Sequence, residues 1–198
     1  MRLHLGCGQS PIPGWVNIDV QQLPGVDRVL DVRHGLPFHD VAAIYGEHFL
    51  EHLDVDEGLA CLVECRRALG PDGILRISTP NLDWVFLTHY RHGRWPADED
   101  AVADCFQLNR AFHGWGHRFL YNQPALAGIL RAAGFAEITW HRYGDSDVPE
   151  LKGLERHEKS GDSPDLPHVL IAQARGRSHE RPFSKELLAE YRQAIDAR

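Results

Sequence analysis

The chain has 198 residues, of which 43% are hydrophobic and 25% are charged, and its formal net charge is −7. This length allows one compact domain, and the hydrophobic fraction is large enough for a sizeable core, which argues against disorder. The negative charge argues against nucleic-acid binding, because a cationic surface supplies most of the affinity for nucleic acids. No apolar run approaches the roughly 18 residues of a membrane span, and the first residues lack the basic-then-apolar pattern of a signal peptide, so we expect neither a membrane span nor a signal peptide.

The cysteines give an expectation about the redox environment. No two of them form a C-x-x-C pair, and a chain of this size needs no disulfides to be stable. We therefore expect reduced thiols and a cytoplasmic protein without membrane association. The four cysteines are Cys7, Cys61, Cys65 and Cys105.

Short apolar runs of strand length recur along the chain and alternate with connections and helical segments. Several of them are almost continuously apolar rather than alternating, which is typical of a parallel sheet covered on both faces. This order predicts an α/β sheet with crossover connections. The seven predicted strands are residues 2–5, 15–20, 28–32, 41–45, 73–79, 135–142 and 168–174.

Helical segments with clear start and stop signals lie between these strands. Residues 54–69 have an apolar face, with Asp54 as the N-cap and Gly70-Pro71 as the stop. Residues 122–133 begin with an N-cap and a first-turn proline and end before Gly134. We predict a helix at each of these two places.

The rest of the chain divides into an insertion, a long loop and an extension. We expect an α/β domain at residues 1–175, with a mostly helical insertion at 81–118 after the fifth strand. Residues 144–167 are polar, and a connection of this length is usually a functional or a disordered loop. Residues 176–198 contain an amphipathic helix whose apolar stripe could pack on its own sheet or on a second subunit, and we favour its own domain.

Glycines follow the first strand, and acids stand at the ends of the next two. Gly6-Cys7-Gly8 lets the backbone approach a ligand closely, and Asp19 can accept hydrogen bonds from both hydroxyls of a ribose. With Asp31 at the following strand exit, this pattern predicts a nucleoside pocket at the carboxyl ends of the strands. Only ten residues separate Gly8 from Asp19, and two prolines among them discourage a helix. A ligand without phosphates therefore fits better than a dinucleotide.

Six segments in order resemble the class I S-adenosylmethionine-dependent methyltransferases. The resemblance covers residues 3–142 and implies a Rossmann-like, seven-stranded, mostly parallel sheet with a helical insertion after the fifth strand. It also implies S-adenosylmethionine as the cofactor. The segments are LHLGCG, WVNIDV, GLPF, HFLEHL, ECRRALGPDGILRISTPN and HRFLYNQPALAGILRAAGF.

The resemblance also implies which residues bind the cofactor. The glycine-rich loop would lie against the methionyl part and the ribose, the first acid would hold the ribose hydroxyls, and the second acid and its neighbour would flank the adenine. The pair after the fourth strand would line the cofactor and sometimes the acceptor. The implied cofactor-binding residues are Gly6, Cys7, Gly8, Asp19, Val20, Asp31, Val32, Glu47 and His48.

Four further points accompany this assignment. The connection between the glycine loop and Asp19 is too short for the family's usual first helix, and we expect the neighbourhood of Trp15 to cover that side of the cofactor. Asp31 could instead cap a turn, and Cys7 is best read as a small filler rather than a nucleophile. The segment Gly70-Pro71-Asp72-Gly73 matches the structural turn before the fifth strand.

A histidine-rich motif leaves a second kind of chemistry open. His48 to His52 spells H-x-x-E-H, the pattern of one class of zinc peptidases, in which two histidines on a helix share a metal and Glu51 is the base. The sequence shows no third ligand, so we expect no metal. We interpret Glu51 and His52 as residues at a helix start that make capping contacts.

The insertion supplies the candidates for acceptor chemistry. His113 and His117 flank a glycine-rich turn, and a neutral imidazole, with a reference pKa of about 6.5, is suited to removing a proton from a hydroxyl. The alternative is that these histidines hold the shape of the loop through bonds to local backbone. We therefore name His117 and His113 as the candidate catalytic residues.

These observations predict methyl transfer from S-adenosylmethionine to a small-molecule acceptor. We favour an oxygen nucleophile on a sugar, a lipid precursor or a secondary metabolite. The alternatives are a non-catalytic cofactor-binding subunit, a nicotinamide-dependent reductase and a zinc hydrolase. We expect a monomer or homodimer with no nucleic-acid or membrane partner.

Overall fold

The computed structural model describes residues 1–156, 163, 165–178 and 185–196. Within these residues, seven strands form one sheet in the order β3-β2-β1-β4-β5-β7-β6. Strand β7 runs antiparallel to both of its neighbours, and the other neighbouring pairs are parallel. This confirms the predicted Rossmann-like, mostly parallel sheet. The strands are β1 (Arg2–Leu5), β2 (Val16–Asp19), β3 (Arg28–Val29), β4 (Val41–Glu47), β5 (Leu69–Pro80), β6 (Glu137–His141) and β7 (Val169–Arg175).

Five α-helices occur in the described part of the chain. The helix α1 begins as predicted, because the Asp54 carboxylate accepts from the backbone N–H groups of Asp56 and Glu57, and Glu57 completes a capping box. Asn122 caps α4 as predicted, because its side chain accepts from the backbone N–H of Ala125. The predicted insertion contains α2 and α3. The helices are α1 (Val55–Ala68), α2 (Leu82–His89), α3 (Asp98–His113), α4 (Gln123–Ala132) and α5 (Lys185–Asp196).

One face of the sheet is covered by helices and holds the larger core. Leu3 and Leu5 of β1 and Ile44 of β4 are fully buried there with residues of α1 and α4. Leu188 and Tyr191 of α5 pack against the same core. The hydrophobic effect of this burial is the main reason that these elements form a single layered body.

The opposite face is covered by irregular backbone. Leu151, at the end of the short 3-10 helix Pro149–Leu151, is fully buried against it, so residues 144–156 take the place that an α-helix would occupy. This part of the predicted 144–167 loop is therefore packed against the sheet, and most of the remainder lies outside the described residues. The smaller core on this face consists of Ile12, Trp15, Ala43, Tyr45, Ile74 and Leu151.

A buried ion pair fixes this loop to the sheet. The side chain of Arg76 in β5 is fully buried, and its Nε donates to Glu155 at 2.6 Å. Its two other nitrogens donate to the side chain of Gln173 and to the carbonyl of Asp145, each at 2.8 Å. Because every nitrogen of the guanidinium has an acceptor, the charge is tolerated inside the protein.

Two strands differ from their predicted bounds by more than two residues at one end. The third strand was predicted at 28–32 but ends at Val29, because Asp31 caps a short 3-10 helix, Val32–His34, that begins immediately afterwards. The fifth strand was predicted to start at Gly73 but starts at Leu69, directly after α1. The predicted turn at residues 70–73 is instead an irregularity within β5, where its pairing with β4 shifts between Val41 and Ala43.

None of the helices in the described ranges is long and apolar enough to cross a membrane.

Candidate functional site

A cavity of about 450 Å³ lies at the carboxyl ends of β1 and β2. Ligands of open α/β sheets bind at this edge, because the loops that leave parallel strands meet there. Six of the nine residues predicted to bind a cofactor line the cavity. Among the described residues, the other three, Cys7, Gly8 and Glu47, adjoin lining residues in the sequence but do not line the cavity themselves. The six are Gly6, Asp19, Val20, Asp31, Val32 and His48.

The glycine loop adopts a backbone conformation that suits glycine. Gly6 has φ of 62° and Gly8 has φ of 51°, both in the left-handed region. A Cβ on Gly6 would also lie 2.6 Å from Cδ2 of Phe49, another residue of the cavity wall. The absence of a side chain at Gly6 therefore lets the aromatic ring close against the loop.

Asp19 is held in place by the glycine loop itself. Its Oδ2 accepts from the backbone N–H of Gly8 at 2.9 Å, and its Oδ1 accepts from the N–H of Gln21 at 2.9 Å. Each carboxylate oxygen keeps a further lone pair for a ligand hydroxyl. The structure thus brings together the glycine loop and the acid that the sequence placed eleven residues apart.

Asp31 serves two purposes in the structure. Its Oδ1 accepts from the N–H of Arg33 at 3.0 Å and so caps the 3-10 helix, and its Oδ2 lies 2.6 Å from the guanidinium of the same residue. Hydrogen bonding to Arg33 lowers the pKa of Asp31 to about 2. Asp31 therefore caps a turn and also presents an ionised carboxylate, paired with Arg33, at the cavity wall.

Cys7 and Glu47 have surroundings that explain their positions. Burial, and then the charge of Asp19, raises the pKa of the Cys7 thiol, so the thiol is neutral and is not activated as a nucleophile. The Glu47 carboxylate accepts from the backbone N–H of Arg156 at 2.8 Å. This bond ties the end of β4 to the loop on the opposite face of the sheet.

The connection between β1 and β2 is organised by Asn17 rather than by a helix. The Asn17 Oδ1 accepts from the N–H of Ile12 at 2.7 Å, and its Nδ2 donates to the carbonyl of Ile12 at 3.1 Å. We expected Trp15 to cover one side of the ligand, but it is buried in the core of the opposite face, against Tyr45. Phe49, together with Leu53, occupies the wall of the cavity instead.

The interpretation of Glu51 and His52 as helix-start residues is wrong. Glu51 is fully buried, where one carboxylate oxygen lies 3.0 Å from Nδ1 of His48 and the other accepts from the hydroxyl of Thr79 at 3.1 Å. His52 lines the cavity, and capping is carried out by Asp54. The segment Leu50–His52 is a single 3-10 turn, so His48 and His52 do not share the long helix that the zinc-peptidase motif requires.

Of the two candidate catalytic histidines, the structure brings one towards the cavity. The ring of His117 lies 5.3 Å from that of His52, and its Nδ1 is 2.7 Å from the carbonyl oxygen of Ala111. His113 is exposed at the end of α3 and is not among the described residues that line the cavity. Sequence reasoning did not assign His52 or Phe49 to the site, although their place directly after β4 could have indicated it.

A second cavity of about 600 Å³ lies further along the strand order, where β6 ends and β7 begins. It is lined in part by Trp140, His141 and Tyr143, and it shares no lining residue with the first cavity. Because the strands there are antiparallel, it lacks the converging loops of a parallel sheet edge. The smaller cavity is therefore the candidate site.

The chain is similar in fold to solved methyltransferases. It is 18% identical to an S-adenosylmethionine-dependent methyltransferase from Mesorhizobium loti, with a TM-score of 0.57, over 88% of this chain and 90% of that chain. A second such methyltransferase, from Archaeoglobus fulgidus, is 15% identical with a TM-score of 0.56, over 88% and 85%. The complex of DhpI with SAH is 15% identical with a TM-score of 0.53, over 90% and 77%.

Other chains with this similarity are much longer. The chain spans about a third of a protein from Nostoc punctiforme PCC 73102, at 32%, and half of PigF, at 50%. No family model and no curated protein matches the sequence. At these identities the likeness concerns the fold, and it confirms the architecture that the motifs implied: the chain has the Rossmann-like fold of the class I S-adenosylmethionine-dependent methyltransferases.

Proposed function

We propose that the protein transfers a methyl group from S-adenosylmethionine to a small-molecule acceptor with an oxygen nucleophile. The observation that carries this proposal is the hydrogen bond from Gly8 to Asp19 at the edge of a cavity of about 450 Å³. At this place the glycine backbone can come close to a ligand because no side chain intervenes, and the Asp19 carboxylate is held in a fixed orientation. Both features suit an adenosyl group. The solved methyltransferases of the same fold, one of them with SAH, support the choice of cofactor.

The residues present fit this cofactor. Asp19 would accept the ribose hydroxyls, because its carboxylate is already oriented by backbone donors on both oxygens. Leu30 and Val32 offer apolar surface for the adenine in the same cavity, and Asp31 offers an acceptor for its amino group. The backbone of Gly6 lines the same cavity, and Phe49 packs in the space that a side chain at this position would take.

The cofactor supplies a methyl group that is already activated on a sulfonium, so the protein has to position the acceptor and exclude water. Holding the two reactants in line lowers the barrier by about 7–11 kcal/mol in well-oriented systems. Phe49 and Leu53 contribute apolar surface to the cavity wall for this purpose.

His117 is the proposed base for the acceptor hydroxyl. A carbonyl oxygen only accepts, so the 2.7 Å contact with Ala111 places a proton on Nδ1 of His117 and leaves the lone pair on Nε2. This lone pair can take the hydroxyl proton, which contributes typically about 10²–10⁴-fold to a rate. His113 remains a prediction for an acceptor contact that lies further out on the insertion.

One observation speaks against the nicotinamide-dependent reductase. Residues 9–15, all of which are described, contain no helix between β1 and β2. A dinucleotide site of this fold places the pyrophosphate at the N-terminus of a helix in that connection. The proposal therefore keeps a cofactor without phosphates. It also includes a small-molecule acceptor and a protein that acts as a monomer or homodimer, without nucleic-acid or membrane partners.

The test is calorimetric titration of the protein with S-adenosylhomocysteine. We expect binding by the parent and at least about tenfold weaker binding by Asp19→Ala, because a hydrogen-bonded charge is worth about 1.5–3 kcal/mol. Asp72→Asn, an exposed change at the far end of β5, is the control and should bind as the parent does. Equal affinity of the Asp19→Ala protein would show that the ribose assignment is wrong.

A second measurement separates an enzyme from a cofactor-binding subunit. The parent is incubated with S-adenosylmethionine and a panel of hydroxylated small molecules, and S-adenosylhomocysteine is quantified by mass spectrometry. Formation of S-adenosylhomocysteine with an acceptor on the panel, slowed in the His117→Gln protein, is the expected result. Binding without turnover across the panel would favour the non-catalytic subunit.

A further inference from the structure

Three side chains with metal-binding atoms meet at the wall of the candidate site. One carboxylate oxygen of Glu51 and one ring nitrogen each of His52 and His117 all lie within 4.8 Å of one another. Glu51 and His52 follow β4, whereas His117 comes from the insertion after α3. Because His52 also lines the cavity, this cluster lies at the edge of the space proposed for the reaction.

Each of the two imidazole rings contacts a backbone carbonyl through Nδ1. The Nδ1 of His52 lies 3.3 Å from the carbonyl oxygen of Gly116, and the Nδ1 of His117 lies 2.7 Å from that of Ala111. Both contacts place the proton on Nδ1 and leave the Nε2 lone pair for another group. A histidine that binds a metal typically donates its other ring N–H to a carbonyl or a carboxylate in this way.

The carboxylate of the cluster is also fixed from behind. Glu51 is fully buried, and its oxygens contact His48 at 3.0 Å and the hydroxyl of Thr79 at 3.1 Å. Its backbone carbonyl accepts from the N–H of Arg118 at 2.7 Å, which ties the turn at Leu50–His52 to the segment that carries His117. The two parts of the cluster are thus joined by backbone as well as by side chains.

We propose that Glu51, His52 and His117 bind a divalent transition metal of the Zn²⁺ class, contrary to our expectation from the sequence that no metal is bound. Two imidazoles and one carboxylate are a donor set of catalytic zinc sites, which keep a fourth position open. Zinc ligands stand about 3.4 Å apart when each lies about 2.1 Å from the ion, so modest side-chain rotations would close the cluster around it.

The role of this metal rests on the proposed methyl transfer. An acceptor hydroxyl at the open position would release its proton to water, because a bound cation lowers the pKa of a coordinated hydroxyl. The acceptor oxygen would then form the bond to the methyl carbon, and the electron pair of the broken carbon–sulfur bond would go to sulfur. With the metal bound, the Nε2 lone pair of His117 is used by the ion and the metal makes the hydroxyl reactive, so His117 acts as the base described above only in the metal-free protein.

The experiment uses Zn²⁺ alone as the probe, so that it does not depend on the acceptor. The full chain is stripped with a chelator, dialysed and titrated calorimetrically with zinc chloride, and Co²⁺ is then added to record the visible bands of a tetrahedral site. We expect one equivalent to bind to the parent and binding at least about tenfold weaker in His52→Gln and in His117→Gln. His39→Ala, which removes an exposed histidine outside the cluster, should bind as the parent does.

Circular dichroism and thermal unfolding of the stripped proteins show whether the glutamine variants are folded. Folded variants with parental zinc affinity, or a parent that binds no zinc, would overturn the metal site. Titration of the stripped parent with S-adenosylhomocysteine keeps the two proposals apart. Cofactor binding without zinc binding would refute the metal site alone, and zinc binding without cofactor binding would support the site while refuting its role in methyl transfer.

Discussion

The carboxylate of Asp31 is bound on both oxygens by the guanidinium of Arg33, two residues further along the chain, and both side chains line the candidate site. The pair lies at the first turn of the 3-10 helix Val32–His34, which Asp31 also caps. A local structural contact and a candidate ligand contact therefore involve the same carboxylate.

Two substitutions of Asp31 should separate its roles. We expect Asp31→Ala to lose about 1 kcal/mol of stability with the cap and to bind S-adenosylhomocysteine at least about fivefold more weakly. Asp31→Ser keeps a capping oxygen but not the charge, so its stability should approach that of the parent. Its affinity for S-adenosylhomocysteine should be as low as that of Asp31→Ala. Urea unfolding and calorimetry measure the two quantities. Parental affinity in the serine protein would show that Asp31 only caps the turn.

Gly6 and Gly8 form a matched pair for testing the glycine loop. Both have positive φ, but a Cβ on Gly6 would meet Phe49 at 2.6 Å, whereas a Cβ on Gly8 would have no atom within 4 Å. We expect Gly8→Ala to lower the free energy of unfolding by about 1 kcal/mol, because alanine is strained at positive φ. Gly6→Ala should lower it by about 2 kcal/mol, because the contact with Phe49 adds to the same strain. Urea unfolding checks the difference, and equal losses would contradict the contact with Phe49.

The buried pair between Arg76 and Glu155 should be among the most sensitive positions for stability. Glu155→Gln leaves the fully buried Arg76 without its counter-charge, so we expect a loss of about 3–5 kcal/mol in urea unfolding. The double variant Arg76→Met, Glu155→Leu removes both charges and should recover most of that loss. Glu137→Gln breaks only an exposed contact with Arg175 and is the control, with a change below about 1 kcal/mol. A Glu155→Gln protein as stable as this control would contradict the anchoring role.

Much of the fold and part of the site could be predicted because their signals are local. The N-cap at Asp54 and the first-turn proline of α4 lie within a few residues of the helix that each specifies, and Gly8 and Asp19 are only eleven residues apart. Such short-range patterns need no knowledge of what packs against them.

The features that were missed depend on residues distant in the chain. Arg76 and Glu155 are 79 residues apart, and neither neighbourhood shows that a polar loop will cover a sheet face. Glu51 resembles a helix-start residue until Thr79 and the segment at Arg118 fold around it. The third donor of the H-x-x-E-H region could not be identified for the same reason, since His117 reaches it only through the insertion.

His4 gives the protein a pH-dependent stability that can be measured. Its side chain is buried, and its Nδ1 lies 3.2 Å from Oδ1 of Asn17. This amide oxygen also accepts from the N–H of Ile12, and because an amide oxygen can only accept, Nδ1 of His4 is the donor. Burial lowers the pKa of His4 to about 4. The folded protein thus keeps this imidazole neutral at pH values where an unfolded chain, with a pKa of about 6.5, already binds a proton.

The sign of the effect follows from this difference in bound protons. Between about pH 6.5 and pH 4 the unfolded state binds more protons at His4, so the free energy of unfolding falls as the pH is lowered through this range. His4 alone changes the free energy of unfolding by at most about 1.4 kcal/mol per pH unit, and it adds no pH dependence above about pH 6.5. His4→Gln removes the titration while keeping a donor for Asn17. Urea unfolding of both proteins at several pH values should show a shallower decline for the variant below about pH 6.5, and parallel curves would contradict the neutral, buried state of His4.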